Sequence, residues 1–287
     1  MNLLSGLEKF GLNLGEKMNL FEDDSQKTNS DENGENQEEK IPTEDEFLLE
    51  KTVQCRICDK NFKAKMLKNG RAKRLEPDDD LRPRHQYIDT LKYDVVSCPY
   101  CGYTAMNRYF EHLTSMQAKL IKDEVCSKFK GTGEQKEEAS YSYEEAIDRY
   151  KLALFNTIVK KGKTSEKAYT CLKISWLLRG KAEELPNKTE EDKKNLLECK
   201  QEEEAFYEQA YEGLLKATAS EMYPICGMEQ STLDYLLAQM AFHFNKLDVA
   251  SRFVSGILTS QAANRRMKDK ALDLKDKILV QIRSSKS

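Results

Sequence analysis

From Tyr141 onward, apolar side chains recur every three or four residues. Tyr143, Ile147, Tyr150, Leu154 and Ile158 make one stripe, and Tyr169, Leu172 and Trp176 a second. Phe206, Ala210, Leu214 and Ala217 follow, then Leu233, Leu237, Met240 and Phe244. Leu247, Ala250, Val254 and Ile257 come next, and Met267, Ala271, Leu274, Ile278 and Ile282 end the series. A residue every 3.6 positions on one face is what a helix buries, so this half of the chain is predicted to be helical throughout. Breaks are expected at Lys161-Gly162-Lys163, around Pro186, at Pro224 to Gly227 and at Asn245-Lys246, where glycine, proline or asparagine interrupts the pattern.

Ahead of Tyr141 the period shortens. Phe47 to Val53, Asn61 to Leu67 and Leu91 to Ser97 read as short strands, the last with Tyr93 and Val95 alternating. Thr114 and Gln117 are spaced as a capping box before Leu120, Ile121, Val125 and Phe129, and Gly131-Thr132-Gly133 marks a boundary. Leu3, Leu7, Phe10, Leu14 and Phe21 would share a helical face, weakened by Gly6, Gly11 and Gly15. The expected organisation is an N-terminal segment over 1–21, poorly ordered or a docking helix, and a disordered acidic linker over 22–46. A metal module with a trailing helix over 47–130 and a helical domain over 131–287 follow.

The helices read as pairs. Tyr143-Glu144-Glu145-Ala146 with Tyr150 and Ala153 resembles the second helix of a tetratricopeptide unit, and Phe244 to Ala250 resembles the tight turn within one. Ala146, Ala210 and Ala250 are the candidate equivalents, but their unequal spacing departs from a strict repeat of about 34 residues. An insertion around Lys181–Lys194 accounts for part of this. The expected fold class is mainly α: a tetratricopeptide-like stack with loose repeats, carrying a small N-terminal zinc-ribbon-like α+β module.

Charge changes the picture more than composition does. The net charge of −3 conceals −10 over residues 1–50, +7 over 51–130 and zero over the rest. Residues 22–46 carry almost no apolar groups and cannot offset their ordering entropy by burial. No apolar run approaches the roughly 18–20 residues of a membrane span. The start Met1-Asn2-Leu3 lacks a basic signal region and a myristoylation glycine, so a cytoplasmic protein without membrane contact is expected.

The chemistry-bearing residues are cysteines. Cys55-Arg56-Ile57-Cys58 and Cys98-Pro99-Tyr100-Cys101-Gly102 are two Cys-x-x-Cys knuckles, the ligand set of a tetrahedral thiolate site. Zn²⁺ is expected; iron in a rubredoxin-like redox centre is the alternative. Four thiolates complete the shell, so the ion should be structural. Lys60 and Arg56 could offset its charge, and His85 and His112 are conceivable extra ligands. Cys126, Cys171, Cys199 and Cys226 read as free thiols, Cys171 packed as a small hydrophobe. The module is short and sparing in large apolar groups, so chelation is expected to unfold residues 47–112 and leave the helices standing.

Thirty-nine residues separate the knuckles, against 15–20 in the commonest zinc pattern. From Lys60 to Arg74 this excursion carries Lys60, Lys63, Lys65, Lys68, Arg71, Lys73 and Arg74 and no acid. Lys63, Lys68, Arg71, Lys73 and Arg74 are candidate phosphate or partner contacts. The competing reading is a solvated strand and loop neutralised by the acids that follow, favoured because few aromatics are present to stack on bases. Asp78, Asp80, Arg82 and His85 then form a candidate cluster that either locks the loop or binds a ligand.

Cys55-x-x-Cys58, Asp80-Leu81-Arg82-Pro83 and Tyr93-x-Val95-x-x-Cys98-Pro99-x-Cys101-Gly102-Tyr103-x-Ala105 resemble a bacterial family known only as a domain of unknown function. The resemblance spans roughly residues 47–285. It implies a four-cysteine zinc-ribbon-like module joined to tetratricopeptide-like helices, and no reaction. The resulting expectation is a non-enzymatic adaptor binding a protein or peptide through its helical domain, with Tyr169 and Lys173 as groove candidates. Nucleic-acid binding through Lys60–Arg74 is the alternative and a redox role the second.

Overall fold

Each cysteine knuckle closes a β-hairpin. The computed structural model describes residues 41–130 and 138–284, so the expectations for residues 1–40 and for the Gly131–Gly133 boundary lie outside the described residues. Strand β1 (Leu48–Gln54) pairs antiparallel with β2 (Asn61–Leu67), from Leu48 opposite Leu67 to Gln54 opposite Asn61. Phe62 and Ala64 are buried on one face, while Glu50, Thr52, Gln54, Asn61 and Lys63 are exposed on the other. Strand β3 (Val95–Ser97) pairs with β4 (Thr104–Met106) around the second knuckle.

Two local readings change. Leu91 to Ser97 is a strand only from Val95. Residues Thr90–Tyr93 form a 3-10 turn, because the Asp89 carboxylate accepts the Leu91 N–H at 3.0 Å and starts a helical turn. Order also begins before Phe47. Glu44–Phe47 is a 3-10 turn held by a Thr43/Glu46 capping box, and Glu44 pairs with Lys92 at 2.7 Å.

Short helices α1 (Asn107–Phe110) and α2 (Ser115–Ile121) follow. The Thr114/Gln117 capping box starts α2, which runs into a π turn, Lys122–Cys126. Six longer helices come next: α3 (Tyr143–Val159), α4 (Thr164–Glu184), α5 (Glu190–Ser220), α6 (Gln230–His243), α7 (Leu247–Thr259) and α8 (Arg265–Ser284). The breaks read from Gly162, Pro186, Pro224 and Asn245 fall in the connections between them. Short connections make sequential helices antiparallel neighbours. Helix α4 packs between α3 and α5, and α6 against α7 and α8.

The fold is mainly helical, with the two hairpins confined to the region of the cysteines. Ala146, Ala210 and Ala250 sit on α3, α5 and α7, each with no exposed surface, so neighbouring backbones approach closely there. Helix α5 has 31 residues, and its first half is largely exposed, which explains the uneven spacing of those alanines.

Ile158 departs from its stripe: it is 54% exposed, as is Phe155 at 48%. The buried positions at that end of α3 are Ala153, Asn156, Thr157 and Lys160. Asn156 donates to the Gly102 carbonyl at 3.1 Å, and Lys160 pairs with the buried Glu166 at 2.6 Å. Polar groups with dedicated partners took the inner face and turned the apolar pair outward.

From Ile41 onward the chain forms one compact unit. Leu91, Val95 and Met106 belong to the same core as Tyr150, Leu172 and Leu177, whereas the residues around the cysteines form a separate, smaller core. No helix among the described residues is long and apolar enough to cross a membrane.

Candidate metal centre

The two knuckles repeat one backbone design. Cys55 N–H donates to the Lys60 carbonyl at 2.9 Å, and Cys98 N–H to the Tyr103 carbonyl at 2.9 Å. Asp59 N–H returns to the Cys55 carbonyl at 3.0 Å, and Gly102 N–H to the Cys98 carbonyl at 3.1 Å. The reversal needs a left-handed residue fourth after each leading cysteine, supplied by Asp59 (φ 58°) and Gly102 (φ 74°). Asp tolerates that region better than most side chains. Glycine is required at the second site for another reason: a Cβ on Gly102 would lie 2.5 Å from the Phe129 ring.

These turns bring all four sulfurs within 4.8 Å of one another. Cys55 and Cys101 are 3.6 Å apart at sulfur, and Cys58 and Cys98 are 3.7 Å. Four sulfurs at about 2.3 Å from one ion sit about 3.8 Å apart along a tetrahedron's edges. A disulfide needs about 2.05 Å, so these are metal spacings and not bridges. Backbone N–H groups aim at the sulfurs: Ile57 and Cys58 at Cys55, Tyr100 and Cys101 at Cys98, and Tyr103 at Cys101. Such donors spread thiolate charge, as the outer shell of a metal site does.

Without a cation the cluster cannot be uniformly ionised. Hydrogen bonds from Cys101 and Cys55 pull Cys98 down, while bonds to Cys55 and Cys98, with burial, push Cys101 up. The donor set therefore fits a soft divalent cation. Arg56 and Lys60 face elsewhere, Arg56 to Glu111 at 3.2 Å and Lys60 over the Tyr100 ring at 4.8 Å. Tyr103, Phe62 and Phe110 pack beneath the knuckles, with the Tyr103 hydroxyl donating to the Phe110 carbonyl at 2.8 Å.

His85 and His112 do not join the sulfurs. His85 Nδ1 lies 3.2 Å from the Thr90 hydroxyl, and His112 is exposed. Cys126, Cys171, Cys199 and Cys226 are free, Cys126 half-buried against the knuckle core and the other three buried.

The excursion runs away from the metal site and across the helices. Asp80 is 6% exposed; it accepts from Trp176 Nε1 and from Arg179, each at 2.9 Å, and from Tyr207. Arg82 is 2% exposed and donates to Glu183 at 2.8 Å, with Asp78 and Asp89 each at 3.6 Å. Gly180 lets it lie against α4, since a Cβ there would be 2.8 Å from the guanidinium. Farther out, Asp79 pairs with Lys277 at 2.6 Å and Glu76 with Lys270 at 3.3 Å on α8. Asp78, Asp80 and Arg82 thus share one network, from which His85 stands apart.

This placement alters the basic stretch. Lys63, Lys68, Arg71, Lys73 and Arg74 are all exposed. The acids that follow them point at Arg82, Arg84, Arg179 and Lys277. Among the five, Arg71 has a carboxylate within ion-pair range, Glu46 at 3.8 Å. Neutralisation by Asp78–Asp80 therefore does not occur.

Of the two groove candidates, Tyr169 is partly exposed and Lys173 is buried. Lys173 is 7% exposed and paired with Asp94, and its ammonium lies 4.9 Å from the Tyr169 ring centre. Sequence reasoning missed Trp176, Arg179 and Glu183, which receive the excursion. Their spacing of three and four residues along α4 was the available signal.

A family model described as an uncharacterized protein conserved in bacteria, DUF2225, matches residues 48–278, and the chain belongs to that family. No curated protein matches the chain. No solved structure matches it.

Proposed function

We propose, for this member of an uncharacterized bacterial family, a non-enzymatic cytoplasmic interaction protein stabilised by zinc. Cys55, Cys58, Cys98 and Cys101 hold one Zn²⁺ in a zinc-ribbon-like module, and the helices form a tetratricopeptide-like stack with loose repeats. Four thiolates leave no coordination position for substrate, so the ion serves structure. The contact surface moves from the helical groove to the basic hairpin and loop, because Lys173 is committed to the module and the excursion covers α4. The partner is an acidic protein or peptide.

One observation carries this reading: Lys63, Lys68, Lys73 and Arg74 are exposed and, among the described residues, have no carboxylate within 4 Å, Lys68 donating instead to the Glu46 carbonyl at 2.9 Å, on a strand and loop backed by a buried core. The hairpin's solvent face carries Glu50, Thr52, Gln54, Asn61 and Lys63 and no aromatic, which favours an acidic peptide over stacked bases. Nucleic acid is the second reading, supported by Tyr100, 53% exposed beneath Lys60 at the neighbouring knuckle.

Fluorescence anisotropy with a glutamate-rich decapeptide and a single-stranded RNA tests both. The peptide should bind, and K63A/K68A/R71A should weaken it. RNA binding with a steep salt dependence would replace the first reading with the second, and no binding of either would remove both. A coloured protein as purified would instead indicate iron and a redox role.

A further inference from the structure

The first hairpin has an open edge. Its sheet has two strands, so β1 has β2 on one side and no strand on the other. The hydrogen-bond phase fixes which backbone groups face out. Cys55 N–H meets the Lys60 carbonyl at 2.9 Å, and Lys68 N–H meets the Phe47 carbonyl at 2.8 Å. Antiparallel bonding recurs at every second residue, so Leu49, Lys51 and Val53 bond to β2. Glu50, Thr52 and Gln54 therefore turn their N–H and C=O groups to the open side, and all three are exposed. The edge of β2 is partly closed: the Lys65 ammonium donates to the Glu138 carbonyl, and the Lys65 N–H to the Tyr141 hydroxyl. Proline, a bulge or short length commonly keeps an edge strand from pairing. Strand β1 has seven residues, no proline and an unbroken register.

A cavity of about 460 Å³ lies beside that edge, where β1 faces β3 and α1. Val53, Met66, Val96 and Phe110 are its apolar lining, the last two buried. Its cations are Lys51, Arg56 and Arg108, against the single carboxylate of Glu111. Glu111 is committed to Arg56 at 3.2 Å, and among the described residues Lys51 and Arg108 have no carboxylate within 4 Å.

A strand laid along β1 would alternate its side chains between solvent and this groove. The groove-facing residue opposite Val53 meets the apolar lining. The one opposite Lys51 meets a cation, and the one past the other end of β1 comes near Arg56. The groove thus reads acid, apolar, acid at every second position, while the intervening residues lie beside Glu50, Thr52 and Gln54 and are best neutral.

We propose that β1 takes an acidic segment of a partner protein as a third, antiparallel strand. Backbone bonds to Glu50, Thr52 and Gln54 supply affinity, and the groove supplies the choice of side chains. The inference rests on the reading of the partner as acidic and adds a conformation and a second seat to it, apart from Lys63–Arg74.

The test titrates the full metal-loaded chain by fluorescence anisotropy with a labelled, capped heptapeptide, Thr-Glu-Thr-Val-Thr-Glu-Thr. It should bind at about millimolar or tighter. N-methylation of the two threonine nitrogens flanking valine should abolish binding, and N-methylation of the valine nitrogen should not, because the threonines bond to β1 in this register. T52P removes an outward N–H and no bond to β2, so metal content should be kept while binding is lost. K51E, an exposed change, should weaken binding about fivefold. Heptapeptide binding that K51E and T52P weaken and K63A/K68A/R71A does not supports this seat even where the proposed surface fails. No heptapeptide binding, beside a glutamate-rich decapeptide that K63A/K68A/R71A weakens, overturns the inference and leaves the proposed surface standing. Binding indifferent to both N-methylation patterns and to K51E overturns it as well. A concentration-dependent dimer abolished by T52P would give the edge to a second copy of the chain and also overturn it.

Discussion

Around the four cysteines the buried apolar groups are few: Ile57, Phe62, Val96, Tyr103, Phe110, Ile121 and Val125 supply most of that core. The helices bury Ile147, Tyr150, Leu172, Ile174, Leu177, Leu214, Leu233, Leu236, Leu237, Leu274 and many more in one continuous interior. The first region has too little apolar area to offset its chain entropy alone, and the second has ample. The difference gives a thiolate-bound ion its proposed role: held by the four clustered cysteines, it would substitute for side chains the knuckles lack. It also shows why the excursion is held twice, at one end by the hairpins and along its length by α4 and α8.

The largest break in that comparison is loss of a ligand. C98S should abolish metal binding and with it most of the roughly 10–16 kcal/mol that structural zinc contributes in small modules, measured as loss of stoichiometric metal and of local hydrogen-exchange protection. Next is R82M. It leaves Asp78, Asp89 and Glu183 without their shared guanidinium, and a fall in stability of about 3–5 kcal/mol by denaturant titration is expected. A fall below about 1 kcal/mol would mean the excursion is held by its hairpins alone.

Smaller effects distinguish the knuckles. G102A should cost about 1–2 kcal/mol from left-handed backbone, plus the displacement of Phe129, and F129A in the same chain should recover the second part. D59G at the first knuckle should be neutral or slightly stabilising; an equal cost at both positions would contradict the difference drawn from Phe129. Smallest is F155S/I158S on α3, expected to stay within about 0.5 kcal/mol by the same titration because both side chains are half exposed.

Much of this could be read from the chain, for a physical reason. Knuckles and helix breaks are local: two residues between cysteines fix one turn, and Gly162, Pro186, Pro224 and Asn245 interrupt a 3.6-residue period wherever the helices pack. What could not be read is long-range pairing. Asp80 meets Trp176 and Lys173 meets Asp94 across most of the module's length, and no local pattern distinguishes a buried, paired aspartate from a solvated one. The same blindness put Ile158 inside, where the structure instead buries Asn156, whose amide donates to the Gly102 carbonyl. The neutralisation expected for Lys63–Arg74 failed likewise: adjacency in sequence did not become adjacency in space.

The central claim is that one metal ion holds the hairpins while the helices stand without it. Metal analysis followed by a chelation melt, tracking helix by circular dichroism and the module by hydrogen exchange, tests it most directly. One Zn²⁺ per chain is predicted, with exchange over residues 47–75 and 93–112 becoming fast on chelation. The excursion from Glu76 to Tyr87 should be less affected through its contacts with α4 and α8, and most of the helical signal should persist. A chain that purifies without metal and is fully protected, or one whose helices collapse together with the hairpins, would contradict the account.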